Sequence, residues 1–208
     1  MTSAGSWVVI GAGGHAAVVI STIQAMGGTV RAIFDDDPRR HGSKVLDVTV
    51  LGPVASCRAG TGEKAVLGVG DNRVRRDLAA RLRLPWSVVI HPSAVIHPSV
   101  TIGEGSVVFA GAVLQPRTSI GRHVIVNTAA SVDHDGLLEN FAHVAPGAHL
   151  SGHVTLREGA LMGVGSAAIP GAVVGAWAVV GAGGAVIGEI PAGTVAVGVP
   201  ARPKPGTV

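Results

Sequence analysis

Glycine spacing carries the first chemical signal in the chain. The stretch SWVVIGAGGHAAVVIS, residues 6–21, fits G-x-G-x-x-G/A with Gly11, Gly13 and Ala16. Glycines placed this way let backbone N–H groups approach a phosphate, which then rests on a helix N-terminus. Such a loop needs a strand to deliver it and a helix to receive the charge. Residues 8–10 are β-branched and residues 15–26 read as a helix, so both are expected. The loop specifies a diphosphate cradle and not a nicotinamide, so the remainder of the chain must decide what the diphosphate carries.

Up to about residue 84, apolar β-branched runs alternate with helical segments, as in α/β units. Residues 30–34 read as a second strand, ending in Asp35, Asp36 and Asp37 and stopped by Pro38. Residues 64–69 read as a third, running into Gly70-Asp71-Asn72. Either Asp71 or Asn72 can cap a helix over residues 73–84 that Pro85 terminates. Small or polar residues thus gather at the C-terminal strand ends, the edge where open parallel sheets bind ligands. The arginines of that helix, Arg73, Arg75, Arg76, Arg81 and Arg83, read as a solvated face, and no aromatic interleaving suggests nucleic acid.

Beyond Pro85 the rhythm changes. Every sixth residue from Ile90 to Val186 is apolar, and the positions two before them, such as Ala112, Thr118, Ala130, Ala148 and Ala160, are small or Val. Period six marks a parallel β-helix, where each short strand sends one aliphatic side chain inward. With three faces per coil, residues i and i+18 stack about 4.8 Å apart. Five such coils fit without interruption. No second α/β unit remains to hold the substrate of a hydride transfer, which leaves an NAD oxidoreductase without a second domain.

This organisation accounts for 31 glycines beside 47% hydrophobic residues, a balance that excludes disorder. Residues 159–188 lack Asp, Glu, Lys and Arg, yet Pro170, nine glycines and the sixfold rhythm argue against membrane insertion. The single Cys57 and the lack of a signal-peptide pattern point to a reducing, cytoplasmic setting. The formal net charge of +3 suits an anionic substrate and equally an ordinary surface.

The motifs GAGGH, VGDN, IHPSAVIHPSV, VDHD, HVAPGA and VGVPAR, in this order, resemble the sugar O/N-acyltransferases of the left-handed β-helix superfamily. The likeness spans essentially the whole chain and is strongest to N-acetyltransferases of nucleotide-linked 4-amino sugars of the bacillosamine and perosamine type. It implies a Rossmann-like nucleotide-sugar domain over residues 1–85, then a left-handed β-helix with a C-terminal tail over residues 86–208. It also implies a homotrimer with active sites between subunits, acetyl-CoA as cosubstrate, and no metal.

Acetyl transfer to an amine needs a group to take the amine proton and a donor for the developing oxyanion. The resemblance makes His134 the general base and Asp135 its orienting acid, with Asp133 as an alternative. Gly152 stands one full coil after His134 and is the expected oxyanion donor through its backbone N–H. His143, Gly163, Val164, Gly181 and Ala182 are implied to contact acetyl-CoA. Gly13, Gly14 and His15 would hold the diphosphate, Asp35 and Asp36 the nucleoside, and Gly70 and Asn72 the facing wall.

Two other chemistries fit this scaffold. A sugar hydroxyl could replace the amine as acceptor. A three-histidine zinc site, as in hexapeptide carbonic anhydrases, would need His91, His97, His123, His134, His143, His149 or His153 to align, and no two of these are separated by one coil.

Overall fold

The computed structural model describes residues 5–204. Its first part is a five-stranded sheet: β1 Ser6–Ile10, β2 Thr29–Phe34, β3 Lys44–Val45, β4 Val48–Gly52 and β5 Lys64–Leu67, in the order β3-β4-β2-β1-β5. β1 pairs in parallel with β2 and β5, and β4 pairs in parallel with β2. Only the β3–β4 hairpin is antiparallel, and the sequence pattern did not announce it. Leu46 and Asp47 turn this hairpin with φ of 47° and 64°. Helix α1, Gly14–Ala25, follows the glycine loop as expected. Helix α2, Asn72–Arg81, starts where Asp71 accepts a hydrogen bond from the Val74 N–H, and it stops short of the expected end at residue 84.

From Val89 onward the chain winds as a triangular β-solenoid of very short strands. Its three parallel sheets hold six, six and seven rungs, more coils than five, because the weaker hexads at Ala185–Val186, Glu189–Ile190 and Val195–Val197 also pair. An antiparallel strand at Arg202–Pro203 completes the last sheet. Strand partners are separated by one coil of three hexads: Ile125 with His143, Ser131 with His149, Leu137 with Thr155. The sixth-position column fills the prism axis, with Val126, Val132, Leu138, Val144 and Leu156 fully buried. The small-residue column is buried too, and Ser106 and Thr118 within it satisfy their hydroxyls on the carbonyls of Gly121 and Asp133. The charge-free stretch 159–188 forms rungs of this prism, and among the described residues no helix is long and apolar enough to cross a membrane.

From Gly105 to Gly183 each corner turns through one left-handed residue. Glycine fills many of these positions, but Arg117, His123, Ala129, Asp135, Phe141, His153 and Trp177 occupy them with φ of 53–62°. A side chain there costs about 1 kcal/mol or more relative to glycine. Non-glycine residues at these corners therefore mark places where the side chain is wanted.

The α/β lobe sits on one face of the prism. Ile20 and Ile23 of α1 share a buried cluster with Val89, Val107, Phe109 and Ile125 of the solenoid. Arg75, expected on a solvated helix face, is instead 1% exposed. Its guanidinium donates to the carbonyls of His123 (2.8 Å), Phe141 (2.8 Å) and Gly70 (3.1 Å) and to Asn72 Oδ1 (2.9 Å). Corner carbonyls that no strand partner takes draw the charge inward. Among the described residues Arg75 forms no ion pair.

Candidate active site

The predicted residues fall into separate places on the chain. The lobe covers the face that carries Val107, Ile125, His143, Leu161 and Val179. His134 lies on the corner between the other two faces, opposite the lobe.

In the lobe, Gly11 has φ of 100°, and a Cβ there would meet Val69 Cγ2 at 2.7 Å, so only glycine fits. Gly13 and Gly14 differ: a Cβ at either would meet nothing within 4 Å. Their glycines leave open space at the N-terminus of α1, which no side chain caps. This is the geometry a phosphate requires. Asp35 and Asp36 stand at the neighbouring strand end with their oxygens engaged. Asp35 accepts from the N–H groups of Ala12 (2.7 Å) and Asp37 (2.8 Å). Asp36 accepts from the Val54 N–H (2.9 Å) and from Arg81 (2.9 Å). Both carboxylates shape the loops. A cavity of about 620 Å³ opens beside Asp36, lined also by Arg58, Arg81 and Arg83.

At the seam between lobe and solenoid, His15 faces His143, with ring centroids 6.5 Å apart, and Phe109 meets His15 edge-on. The Gly70 backbone lies against His143, and Asn127 Nδ2 stands 3.2 Å from its Nε2. His143 thus neighbours the residues expected to bind the sugar nucleotide, although it was expected on the cofactor side. The explanation is topological, since its strand lies between those of Ile125 and Leu161 on the face the lobe covers. Burial, with the Arg75 charge second, lowers His15 to about 4. The same two causes, with His15 third, lower His143 to about 3, so both rings are neutral near pH 7. His15 Nε2 and His143 Nδ1 are buried and form no hydrogen bond of good geometry among the described residues. Asn72, expected on the substrate wall, is 8% exposed, and its amide is committed to Gly159 O and to Arg75.

On the opposite corner, His134 Nδ1 stands 2.8 Å from Asp135 Oδ2, while Asp133 caps the His134 backbone N–H at 2.8 Å. Asp135 is thus the carboxylate that meets the His134 ring, and Asp133 caps the turn. Arg117, one coil earlier, donates from Nε to Asp135 Oδ1 (2.7 Å) and from Nη2 to Oδ2 (2.8 Å). That fork first, and His134 second, hold the Asp135 carboxyl well below the usual carboxylate range. His153 completes the corner, its Nε2 3.7 Å from Asp135 Oδ2 and its ring edge-on to His134 at 5.2 Å. Donor atoms of His134, Asp135 and His153 lie within 4.8 Å of one another, because the two histidines are offset by a full coil plus a single further position. Arg117 occupies the carboxylate that a metal would need.

A Cβ on Gly152 would lie 2.5 Å from His134 Cε1 and 2.6 Å from Nε2. The missing side chain therefore first makes room for the imidazole ring. The Gly152 N–H donates to no acceptor among the described residues. Gly163, Val164, Gly181 and Ala182 line a third location, the corner that also carries Asn127. Gly163 is demanded by packing, since a Cβ would meet Val180 O at 2.5 Å, whereas Val164 is 56% exposed.

An accessible imidazole held by a carboxylate on a solenoid corner can take a proton, as acyl transfer to an amine requires. The profile of the PglD N-terminal domain matches residues 7–82. The GDP-perosamine N-acetyltransferase of Escherichia coli O157:H7 is 27% identical over 209 residues, spanning 93% of this chain and 94% of that protein. PerB from Caulobacter crescentus, solved with CoA and GDP-perosamine, superposes with a TM-score of 0.90 at 42% identity, covering 97% of this chain and 98% of that one. The acetyltransferase domain of PglB from Neisseria gonorrhoeae, solved with acetyl coenzyme A, gives 0.88 at 40% identity over 97% and 100% of the two chains. The chain belongs to this β-helix family of nucleotide-amino-sugar N-acetyltransferases.

Proposed function

We propose that the chain transfers the acetyl group of acetyl-CoA to the amine of a nucleotide-linked 4-amino sugar, with His134 as general base. The observation that carries the role of His134 is the 2.8 Å contact from its Nδ1 to an ionised Asp135. A carboxylate only accepts, so Nδ1 bears the ring proton and Nε2 offers its lone pair. The amine nitrogen bonds to the thioester carbon as its proton passes to Nε2. The Gly152 N–H, beside the same ring, is available to the carbonyl oxygen as charge develops. The C–S bond then breaks, and the imidazolium returns the proton to the departing sulfur.

Substrate geometry follows from these locations. The Rossmann-like lobe, residues 1–85, presents the sugar nucleotide, with diphosphate on Gly13, Gly14 and His15 and the nucleoside toward the cavity at Asp36. Residues 86–208 supply the acetyl-CoA surface at Val164 and Ala182. Since His134 projects from the opposite corner of the same prism, a lobe meets the His134 of a neighbouring subunit, as in a homotrimer. The PerB complex with CoA and GDP-perosamine supports GDP-4-amino sugars as the first candidates. A cytoplasmic setting suits a protein that draws on acetyl-CoA.

Thiol release from acetyl-CoA, measured against a panel of GDP-, UDP- and dTDP-linked 4-amino sugars, tests this reading. One of them is expected to support turnover, and His134→Ala to lower it by roughly two to four orders of magnitude. Turnover intact in His134→Ala removes the base. No thiol release with any amino sugar overturns the reaction.

A further inference from the structure

The corner opposite the lobe contains an ion pair that general-base chemistry alone does not require. Residues separated by one coil stack at this corner, giving the column Ser99, Arg117, Asp135, His153. Arg117, Asp135 and His153 all adopt the left-handed conformation, with φ of 62°, 58° and 59°. Arg117 is held from below, its backbone N–H donating to Ser99 Oγ at 2.9 Å. Its side chain then rises one coil and grips both oxygens of Asp135.

Three cationic or ionisable groups compete for that carboxylate. His134 Nδ1 is 2.8 Å from Oδ2, Arg117 takes Oδ1 and Oδ2 together, and His153 Nε2 waits 3.7 Å from Oδ2. Asp133, the remaining charged neighbour, is occupied with the His134 backbone. A carboxylate on a short side chain rotates freely unless both oxygens are fixed. The planar fork of arginine fixes both, and the point charge of lysine cannot. With the fork in place, Oδ2 presents its remaining lone pair to His134 Nδ1. Without it, Oδ2 is free to turn toward His153 or water, and nothing then selects which nitrogen of His134 carries the proton.

We propose that Arg117 is a positioning residue for this reaction: its guanidinium clamps Asp135 so that His134 stays in the Nδ1–H tautomer with Nε2 free to accept a proton. This deepens the reading of His134 as general base and rests on it. Arg117 acts through Asp135, and its 66% exposed side chain makes it removable without disturbing the core.

Nitrogen-15 spectra of the imidazole rings in the full chain, without substrate, test the clamp directly. The His134→Ala spectrum assigns the resonance. Wild-type His134 is expected in the Nδ1–H form. Both Arg117→Ala and Arg117→Lys are expected to drift toward the Nε2–H form that a free imidazole prefers, as Asp135→Asn must. In turnover, both Arg117 variants are expected to lose roughly tenfold or more in kcat, with the KM for acetyl-CoA little changed. An unchanged tautomer in both variants overturns the proposal. So does a raised KM for acetyl-CoA at unchanged kcat, which would make Arg117 an anion contact. If His134→Ala keeps its turnover, the general-base reading fails, while the spectra still decide whether Arg117 sets the tautomer.

Discussion

Two histidine clusters draw on this solenoid and serve opposite ends, one completed by His15 of the lobe and one built from the repeat alone. At the seam, His15, His143 and His123 are packed around a buried arginine that has no acidic partner, and all three are kept neutral. At the far corner, His134 and His153 surround an aspartate that is ionised and gripped by a second arginine. In the first cluster burial decides protonation and arginine bonds to backbone carbonyls. In the second a carboxylate decides which nitrogen holds the proton. The difference separates a buried region that ties the lobe to the solenoid from an exposed one proposed to carry the chemistry, so stability and rate should respond to different substitutions.

The largest expected effect is on stability, at the seam. Arg75→Met leaves the carbonyls of His123, Phe141 and Gly70 and the Asn72 amide without their donor. Buried acceptors left unmet cost about 1–3 kcal/mol each, partly offset because a charge is no longer buried, so a loss of roughly 3–5 kcal/mol is expected. Denaturant unfolding measures it. A midpoint within error of wild type would mean that the lobe is held by its apolar contacts with Val107, Phe109 and Ile125 alone.

Next in size is an effect on rate at the corner. Gly152→Ala places a methyl group within 2.6 Å of where His134 Nε2 now lies, so the ring must move away from the site. A fall in kcat of roughly 10- to 100-fold is expected, with the unfolding midpoint nearly unchanged, since the ring is free to swing into solvent. Equal losses of stability and rate would erase the division between the two regions.

Much of this was legible in the sequence, and the limits are physical. The period of six exposed the solenoid because core packing forces an apolar residue inward on every face. Stacking by whole coils led correctly to Gly152 beside His134, and counted back from Asp135 it also reaches Arg117. The same rule misled for His153, because a turn residue contacts both the one below it in the preceding coil and that residue's chain neighbour. Arg75 was not legible at all. A run of arginines on a short helix reads as solvated, and only the docked solenoid reveals unpaired corner carbonyls that can receive one of them. His143 illustrates the remaining gap: its column was readable, but how far the lobe extends along that face was not.

The smallest effect sharpens the comparison through pH. Burial first, then the Arg122 and Arg75 charges, lowers His123 to about 4, and its ring, stacked on Phe141 and edge-on to Trp86, has no hydrogen-bond partner among the described residues. A histidine whose folded pKa lies below its unfolded value near 6.5 binds more protons when unfolded, so stability falls as pH drops from about 6.5 toward 4. Each such group contributes at most about 1.4 kcal/mol per pH unit within that window. The depressed carboxylates act at lower pH, below their own unfolded values, and leave this window to the histidines. His123→Phe keeps the stacking and removes one titrating group, so its unfolding midpoint is expected to decline less steeply between about pH 6.5 and 4.5. A slope unchanged from wild type in His123→Phe would mean that burial at the seam is not what separates the two clusters.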